Sequence, residues 1–112
     1  MAKINLGTLT ADGVTTPILA KEIDAFEKPI MFFIEGQFGS VGAAPAIELE
    51  WSTSINGEFK PFRNGDGISV PMITEIDMRY ILRIPSDMFV RMTGLGLGLG
   101  PPTSPNITGF LA

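Results

Sequence analysis

Nucleophiles are present in this sequence, but the bases that would activate them are not. Ser40, Ser52, Ser54, Ser69, Ser86 and Ser104 have no histidine to take up a proton, because the chain contains none. Histidine is the side chain whose ordinary pKa suits that task near neutrality. A serine and lysine arrangement would have to recruit Lys3, Lys21, Lys28 or Lys60, and no motif supports one. Cysteine is absent too, which removes thiolate nucleophiles, thiolate metal sites and disulfides together. Glu48 and Glu50 are spaced to share one face of a strand and could form a carboxylate pair of the glycosidase type. A solvated strand face explains them more simply.

Ligand-binding motifs are equally thin. Asn64-Gly65-Asp66-Gly67 has the flavour of a calcium loop, but no downstream glutamate completes the oxygen set that calcium needs, so a turn is expected. Gly36-Gln37-Phe38-Gly39 and the later Gly-Leu repeat lack the Lys-Ser or Lys-Thr and the following helix of a phosphate cradle. Trp51 could stack on a sugar, yet it shares its expected face with Ile47 and Leu49 and reads as core. Met72, Met78, Met88 and Met92 fall on strand periodicity and read as core filling rather than as an adaptable contact surface. No catalytic residue, cofactor or metal ligand is therefore assigned.

Composition narrows the partners. The net charge is −4, from 8 basic and 12 acidic residues, with no basic run to neutralise phosphates, so nucleic acid is not an expected partner. Residues 1–62 carry four lysines against eight acids, whereas residues 63–112 carry Arg63, Arg79, Arg83 and Arg91 against four acids. That asymmetry reads either as a solvated surface or as a device that orients docking between subunits. The apolar fraction of 45% is high for a small acidic domain and leaves apolar surface to be buried between chains. No stretch approaches the roughly 18 apolar residues of a membrane span, the densest being Ile30-Met31-Phe32-Phe33-Ile34. Met1 to Leu6 lacks the apolar stretch of a secretory signal, and synthesis in the cytoplasm is expected.

The elements that must carry these residues are short strands, because 13 glycines and 9 prolines leave few windows long enough for a helix. The best helical window is Ile18 to Phe26, between Pro17 and Pro29. Residues 4–9 alternate as a half-buried strand, and residues 28–38 are apolar on both faces, which predicts a central strand covered twice. Ile47, Leu49 and Trp51 alternate strictly with Glu48, Glu50 and Ser52. Asn56-Gly57 then favours a two-residue type I′ turn, making residues 46–62 a hairpin whose return strand holds Phe59, Pro61 and Phe62. Pro61 lacks a ladder donor and marks that strand as an edge or as ending early. Residues 68–71 form a short strand, and residues 76–84 one long strand with Ile76, Met78, Tyr80, Leu82 and Ile84 on a face. Arg79 and Arg83 flank Ile81 on the other face, and Met88, Val90 and Met92 point inward in the next strand.

Six to eight strands with turns every 8–12 residues predict a single all-β domain, an antiparallel β-sandwich or jelly-roll-like barrel spanning residues 1–93, with an extended terminal arm. Residues 94–112, which hold Gly94-Leu95-Gly96-Leu97-Gly98-Leu99-Gly100 and a Pro-rich turn, form that arm. Such a Gly-rich segment needs a partner to hold a strand. Either Leu95, Leu97, Leu99, Phe110 and Leu111 pack on a neighbouring subunit, or the segment is an ordinary crossover or a partly flexible tail.

Within residues 48–93, the order Trp51-Ser52, Asn56-Gly57-Glu58-Phe59-Lys60-Pro61-Phe62, Tyr80-Ile81-Leu82-Arg83-Ile84-Pro85 and Phe89-Val90-Arg91-Met92-Thr93-Gly94 is similar to small β-sandwich virion proteins of tailed bacteriophages. These include capsid decoration (cement) proteins and head-fibre or tail accessory modules. The resemblance covers under half of the chain. It implies a virion protein made in the host cytoplasm, a homo-oligomer with a trimer favoured, and the major capsid protein as partner. A carbohydrate- or receptor-binding module of a fibre or tail is the alternative it leaves open.

Overall fold

The computed structural model describes residues 3–19, 29–62, 72–84 and 87–112. Among the described residues nine strands run in the order β1 (Ile4–Leu9), β2 (Gly13–Val14), β3 (Ile18–Leu19), β4 (Pro29–Gln37), β5 (Ala46–Ser52), β6 (Lys60–Pro61), β7 (Arg79–Arg83), β8 (Phe89–Leu95) and β9 (Asn106–Leu111). They form two antiparallel sheets, β1-β9-β4-β7 (sheet A) and β2-β8-β5-β6 with β3 also paired to β8 (sheet B). The chain is thus an all-β sandwich of two facing sheets.

Period-two alternation explains which side chains meet between the sheets. Sheet A contributes Leu6, Ile30, Phe32, Ile34, Leu82, Ile107 and Leu111, and sheet B contributes Ile47, Leu49, Val90 and Met92; all are buried. Burying each large aliphatic or aromatic side chain is worth roughly 1.5–3 kcal/mol, and with no disulfide this layer is what opposes chain entropy. Ile73 extends sheet B past the short β6 by exchanging both backbone hydrogen bonds with Ile47, at 2.8 and 3.0 Å. Pro61 lies in β6, which has two residues and sits at the sheet margin, as a residue without a donor requires.

Four expectations change. The Asn-Gly pair does not make a two-residue type I′ turn: the closing bond runs from the Gly57 N–H to the Ser54 carbonyl at 3.0 Å, which makes Ile55 and Asn56 the central residues. Neither Asn56 nor Gly57 adopts the positive φ that a type I′ turn demands of its central pair. The Ser52 hydroxyl explains the wider loop, since it donates to the Ser54 carbonyl at 2.8 Å and accepts from the Ser54 N–H at 3.2 Å. The strand expected over residues 76–84 starts only at Arg79, because the Met78 N–H closes a turn onto the Glu75 carbonyl at 3.2 Å. Alternation still holds through it, with Ile76, Met78 and Tyr80 packed on the core.

The third change concerns the helix window. Ile18 and Leu19 are strand residues opposite Val90 and Phe89, and the rest of that window lies outside the described residues, as do residues 68–71 and Asn64 to Gly67. The fourth is the arm. Residues 94–112 complete β8 and supply the whole of β9, which lies between β1 and β4 in the interior of sheet A. Its alternating Ile107, Gly109 and Leu111 face the core, so this stretch belongs to the sandwich body.

Sheet edges are managed by side chains. Residues 13–19 run along β8 as β2 and β3 with a break between them, and Thr15 fills the break. Its N–H donates to the Met92 carbonyl and its hydroxyl accepts from the Met92 N–H, both at 2.9 Å.

Candidate functional site

The Gly-Leu segment does not present one leucine stripe. In an extended strand Leu95, Leu97 and Leu99 would share a face, but Gly96 and Gly98 have φ values of 66° and 90°, a left-handed backbone that glycine adopts without steric cost. The chain turns at each, and Leu97 enters the core at 0% exposure while Leu95 and Leu99 stay 65% and 70% exposed. The turned backbone is held from three sides. The Asp12 carboxylate accepts the N–H groups of Gly96 and Leu97 at 3.1 and 3.0 Å. Ala44 donates to the Gly96 carbonyl at 2.9 Å, and Leu99 exchanges two 2.8 Å hydrogen bonds with Val41.

This end of the sandwich therefore exposes aliphatic side chains on a fixed frame. Val41, 54% exposed, joins Leu99 there, whereas Val14, 52% exposed, lies with Leu95 along a second groove lined by Glu48, Glu50, Arg91 and Thr93. A cleft of about 520 Å³ opens between Thr10 to Asp12, Val41, Gly42, Leu99 and Pro105. Of the five residues expected to contact a subunit, Leu99 lines this cleft and Leu95 the second groove. Leu97 and Leu111 are fully buried and are corrected to core residues, because both side chains point between the sheets. Phe110 lies elsewhere, on the outer face of sheet A. Val14 and Val41 escape a reading of the sequence because each is an isolated valine beside a turn; Asp12-Gly13, a turn signal after β1, is the available clue.

The outer face of sheet A is built around an aromatic pair. Phe33 and Phe110 stack with centroids 5.5 Å apart. Lys3 places its ammonium 4.4 Å from the Phe110 ring centre and Arg79 its guanidinium 4.9 Å from Phe33, the attraction of a cation for a ring face. Lys3 also pairs with Glu35 at 2.8 Å. These side chains cover Phe33 to 7% exposure, so among the described residues β4 is covered on this face by its own sheet's side chains, in place of the second packed layer expected. Arg79 and Arg83 flank Ile81 on this outer face, as their spacing predicts, and Ile81 is 71% exposed.

The outer face of sheet B has the opposite character. Glu50 faces Arg91 across the β5–β8 pair and is bound by it at 2.9 Å, which explains Glu50 as an ion-pair partner. Arg91 in turn lies 4.1 Å from the Phe59 ring centre. Glu48, two residues away, has no ion-pair partner among the described residues. Trp51 is half-buried: its ring packs on the core, and its outer side lines a cleft of about 450 Å³ with Glu58, Lys60 and Pro61. Met92 is fully buried, and the Met78 sulfur accepts the N–H and hydroxyl of Thr74. Among the described residues no cluster of three or more acidic side chains is placed to hold a metal ion, and no helix is long and apolar enough to cross a membrane.

No protein-family model, no curated protein and no solved structure matches the chain at a significant level.

Proposed function

We propose that this chain is a non-enzymatic structural module that works by seating on other protein subunits, and that it decorates a bacteriophage capsid, bridging and stabilising neighbouring capsomers. In this reading it is a virion protein made in the host cytoplasm, with further copies of itself and the major capsid protein as partners, and a trimer as the favoured assembly. The observation that carries the reading is two exposed aliphatic pairs, Val41 with Leu99 at one cleft and Val14 with Leu95 at another. Isolated apolar residues on a surface are ordinary, whereas exposed aliphatic pairs lining clefts are what a protein-contact surface offers. Here the backbone that carries them is anchored by Asp12, Ala44 and Val41, so little ordering remains to oppose association.

The test is co-sedimentation with preformed capsids that lack the protein. Wild-type protein should pellet with the shells and raise the temperature at which they open, and the Leu95→Asp/Leu99→Asp variant should stay in the supernatant while remaining folded. Equal retention of both proteins, or of neither, overturns the reading. A carbohydrate-binding role for a fibre or tail module is the second reading. It is favoured by Trp51 alone, whose half-exposed ring beside Glu58 and Lys60 offers a face for stacking on a sugar. Quenching of Trp51 fluorescence by oligosaccharides would support it.

A further inference from the structure

We propose that Asn56 is a site of spontaneous deamidation, its amide converted by water to a carboxylate at a rate that the Ser52 hydroxyl holds down. The inference goes beyond the subunit-contact reading and does not rest on it. Deamidation begins when the main-chain nitrogen that follows an asparagine attacks that residue's Cγ. Glycine favours the attack, because it has no Cβ to block the approach and leaves the backbone free to rotate. Asn56 is followed by Gly57, and both are exposed and outside the strands. Asn5 and Asn106 are exposed as well, but strand pairing and the next side chain oppose the attack. Asn5 lies in β1, precedes Leu6 and has its side-chain oxygen held by the Gly7 N–H at 2.7 Å. Asn106 lies opposite Gln37 in β9 and precedes the β-branched Ile107.

The atoms balance with water as the only co-reactant. The Gly57 amide gives up its proton and its nitrogen bonds to Asn56 Cγ. The bond from Cγ to Nδ2 then breaks, ammonia leaves with that proton, and a cyclic imide remains. Water opens the ring at either carbonyl. Opening at Cγ gives aspartate, whereas opening at the main-chain carbonyl gives isoaspartate, whose chain runs through the former side chain and is longer by a methylene. Either product adds a negative charge to the loop that leads into Glu58.

The closed turn is not the reactive form. Gly57 donates to the Ser54 carbonyl at 3.0 Å, and with Ile55 and Asn56 central and neither at positive φ the turn is of type I. Bringing the Gly57 nitrogen over the Asn56 side chain requires rotation about the Asn56 ψ, which breaks that bond. Ser52 reinforces the closed form, since its hydroxyl donates to the same Ser54 carbonyl at 2.8 Å and accepts from the Ser54 N–H at 3.2 Å. Gly57 packs so closely here that a Cβ on it would lie 2.8 Å from the Ser52 Oγ. Ser52 is thus a positioning residue: it touches no reacting atom, and it sets how often the turn opens. Isoaspartate would part Gly57 from Ser54 at the end of a hairpin whose return strand pairs only through Lys60 and Pro61.

The test is incubation of the full chain in mildly alkaline buffer, followed by trypsin digestion and mass spectrometry of the exchange of NH2 for OH. Trypsin does not cut at Lys28-Pro29 or Lys60-Pro61, so Asn5 falls in residues 4–21, Asn56 in 22–63, Asn64 in 64–79 and Asn106 in 92–112. Residues 22–63 should convert at least about tenfold faster than 4–21 and 92–112, a barrier lower by about 1.4 kcal/mol. In Ser52→Ala the 22–63 rate should rise about threefold or more, the scale of one hydrogen bond, while 4–21 and 92–112 keep theirs. Should that variant lose its fold, wild type unfolded in urea replaces it, and releasing the turn should raise the Asn56 rate by a similar factor. Asn56 converting no faster than Asn5 and Asn106 overturns the site. A rate unchanged in folded Ser52→Ala, or unchanged on unfolding, overturns the restraint by Ser52. Neither result bears on retention by capsids, so the decoration reading is tested separately.

Discussion

Residues 94–100 and residues 106–111 both set glycine among large apolar side chains, yet the sandwich uses them in opposite ways. The later stretch is β9, hydrogen-bonded on both sides to β1 and β4, and its alternation is obeyed: Ile107, Gly109 and Leu111 face inward while Asn106, Thr108 and Phe110 face outward. The earlier stretch leaves its strand at Leu95, and the left-handed Gly96 and Gly98 send Leu97 inward and its neighbours outward. Side-chain period decides the facing of a residue where neighbours on both sides fix an extended backbone. Where glycine frees the backbone, a few tertiary hydrogen bonds decide instead.

The sharpest way to break that comparison is to shorten leucines in both stretches. Leu97→Ala and Leu111→Ala should each cost about 2–5 kcal/mol in urea unfolding, the range for emptying a packed site. Leu99→Ala, at a 70% exposed position, should stay within about 0.5 kcal/mol of wild type. Equal losses for Leu97→Ala and Leu99→Ala would show that the segment is not turned as described.

The glycine backbone itself comes next. A methyl group on Gly96 would be strained by φ 66° and would also overlap the Ala44 carbonyl. Gly96→Ala should therefore destabilise on the order of 3 kcal/mol, combining left-handed strain with overpacking. Gly42 has a nearly identical φ of 68° but open space around it. Gly42→Ala should cost only the conformational part, roughly 1–2 kcal/mol. The gap between these two melting curves measures how tightly the 41–44 and 96–99 segments are clasped.

Much of the body was legible because burial on one face writes a period of two into the sequence. Ile47 and Leu49 face the core, Leu82 in β7 and Ile84 just after it continue that pattern, and Pro61 marks a short margin strand. What escaped was decided by contacts distant in sequence. The Glu75–Met78 turn shortens β7 without disturbing its alternation, and the Ser52 hydroxyl widens a loop that Asn56-Gly57 would otherwise tighten. β1 carries a bulge between Asn5 and Gly7, with the Asn5 side chain accepting the Gly7 N–H at 2.7 Å, so Leu6 and Leu9 are both buried although three apart. β9 hid behind glycine and proline that made residues 94–112 look like an arm. Of the contact surface, Leu95 and Leu99 were readable as exposed leucines, but their separation from Leu97 needed Asp12, 84 residues before Gly96.

A smaller effect tests how β8 keeps its own backbone satisfied outside the glycine region. Thr15→Val retains the shape of the side chain but removes the oxygen that accepts the Met92 N–H, leaving a buried donor without its partner. The expected loss is about 1–2 kcal/mol, with faster hydrogen exchange at the Met92 amide. Unchanged exchange there would mean that the β2–β3 break is sealed by backbone bonds alone.

The smallest effect belongs to Lys3 and separates two ways of covering the outer aromatic pair. Its side chain is 49% exposed, and its ion pair with Glu35, itself 50% exposed, is worth about 0.2–1 kcal/mol before screening. The ammonium also lies 4.4 Å from the Phe110 ring centre, while the methylene stem stays available to lie along apolar surface. Lys3→Met keeps an apolar stem and deletes the charge; Lys3→Ala deletes both. If the charge does the stabilising, the two variants lose the same small amount and raising wild type to 1 M salt removes most of it, since the screening length then falls to about 3 Å. If the stem does it, Lys3→Met matches wild type at every salt concentration and Lys3→Ala alone falls below it. The stem should dominate, because Phe33 beneath this layer is only 7% exposed and a ring that deeply covered gains more from excluded water than from one solvated charge.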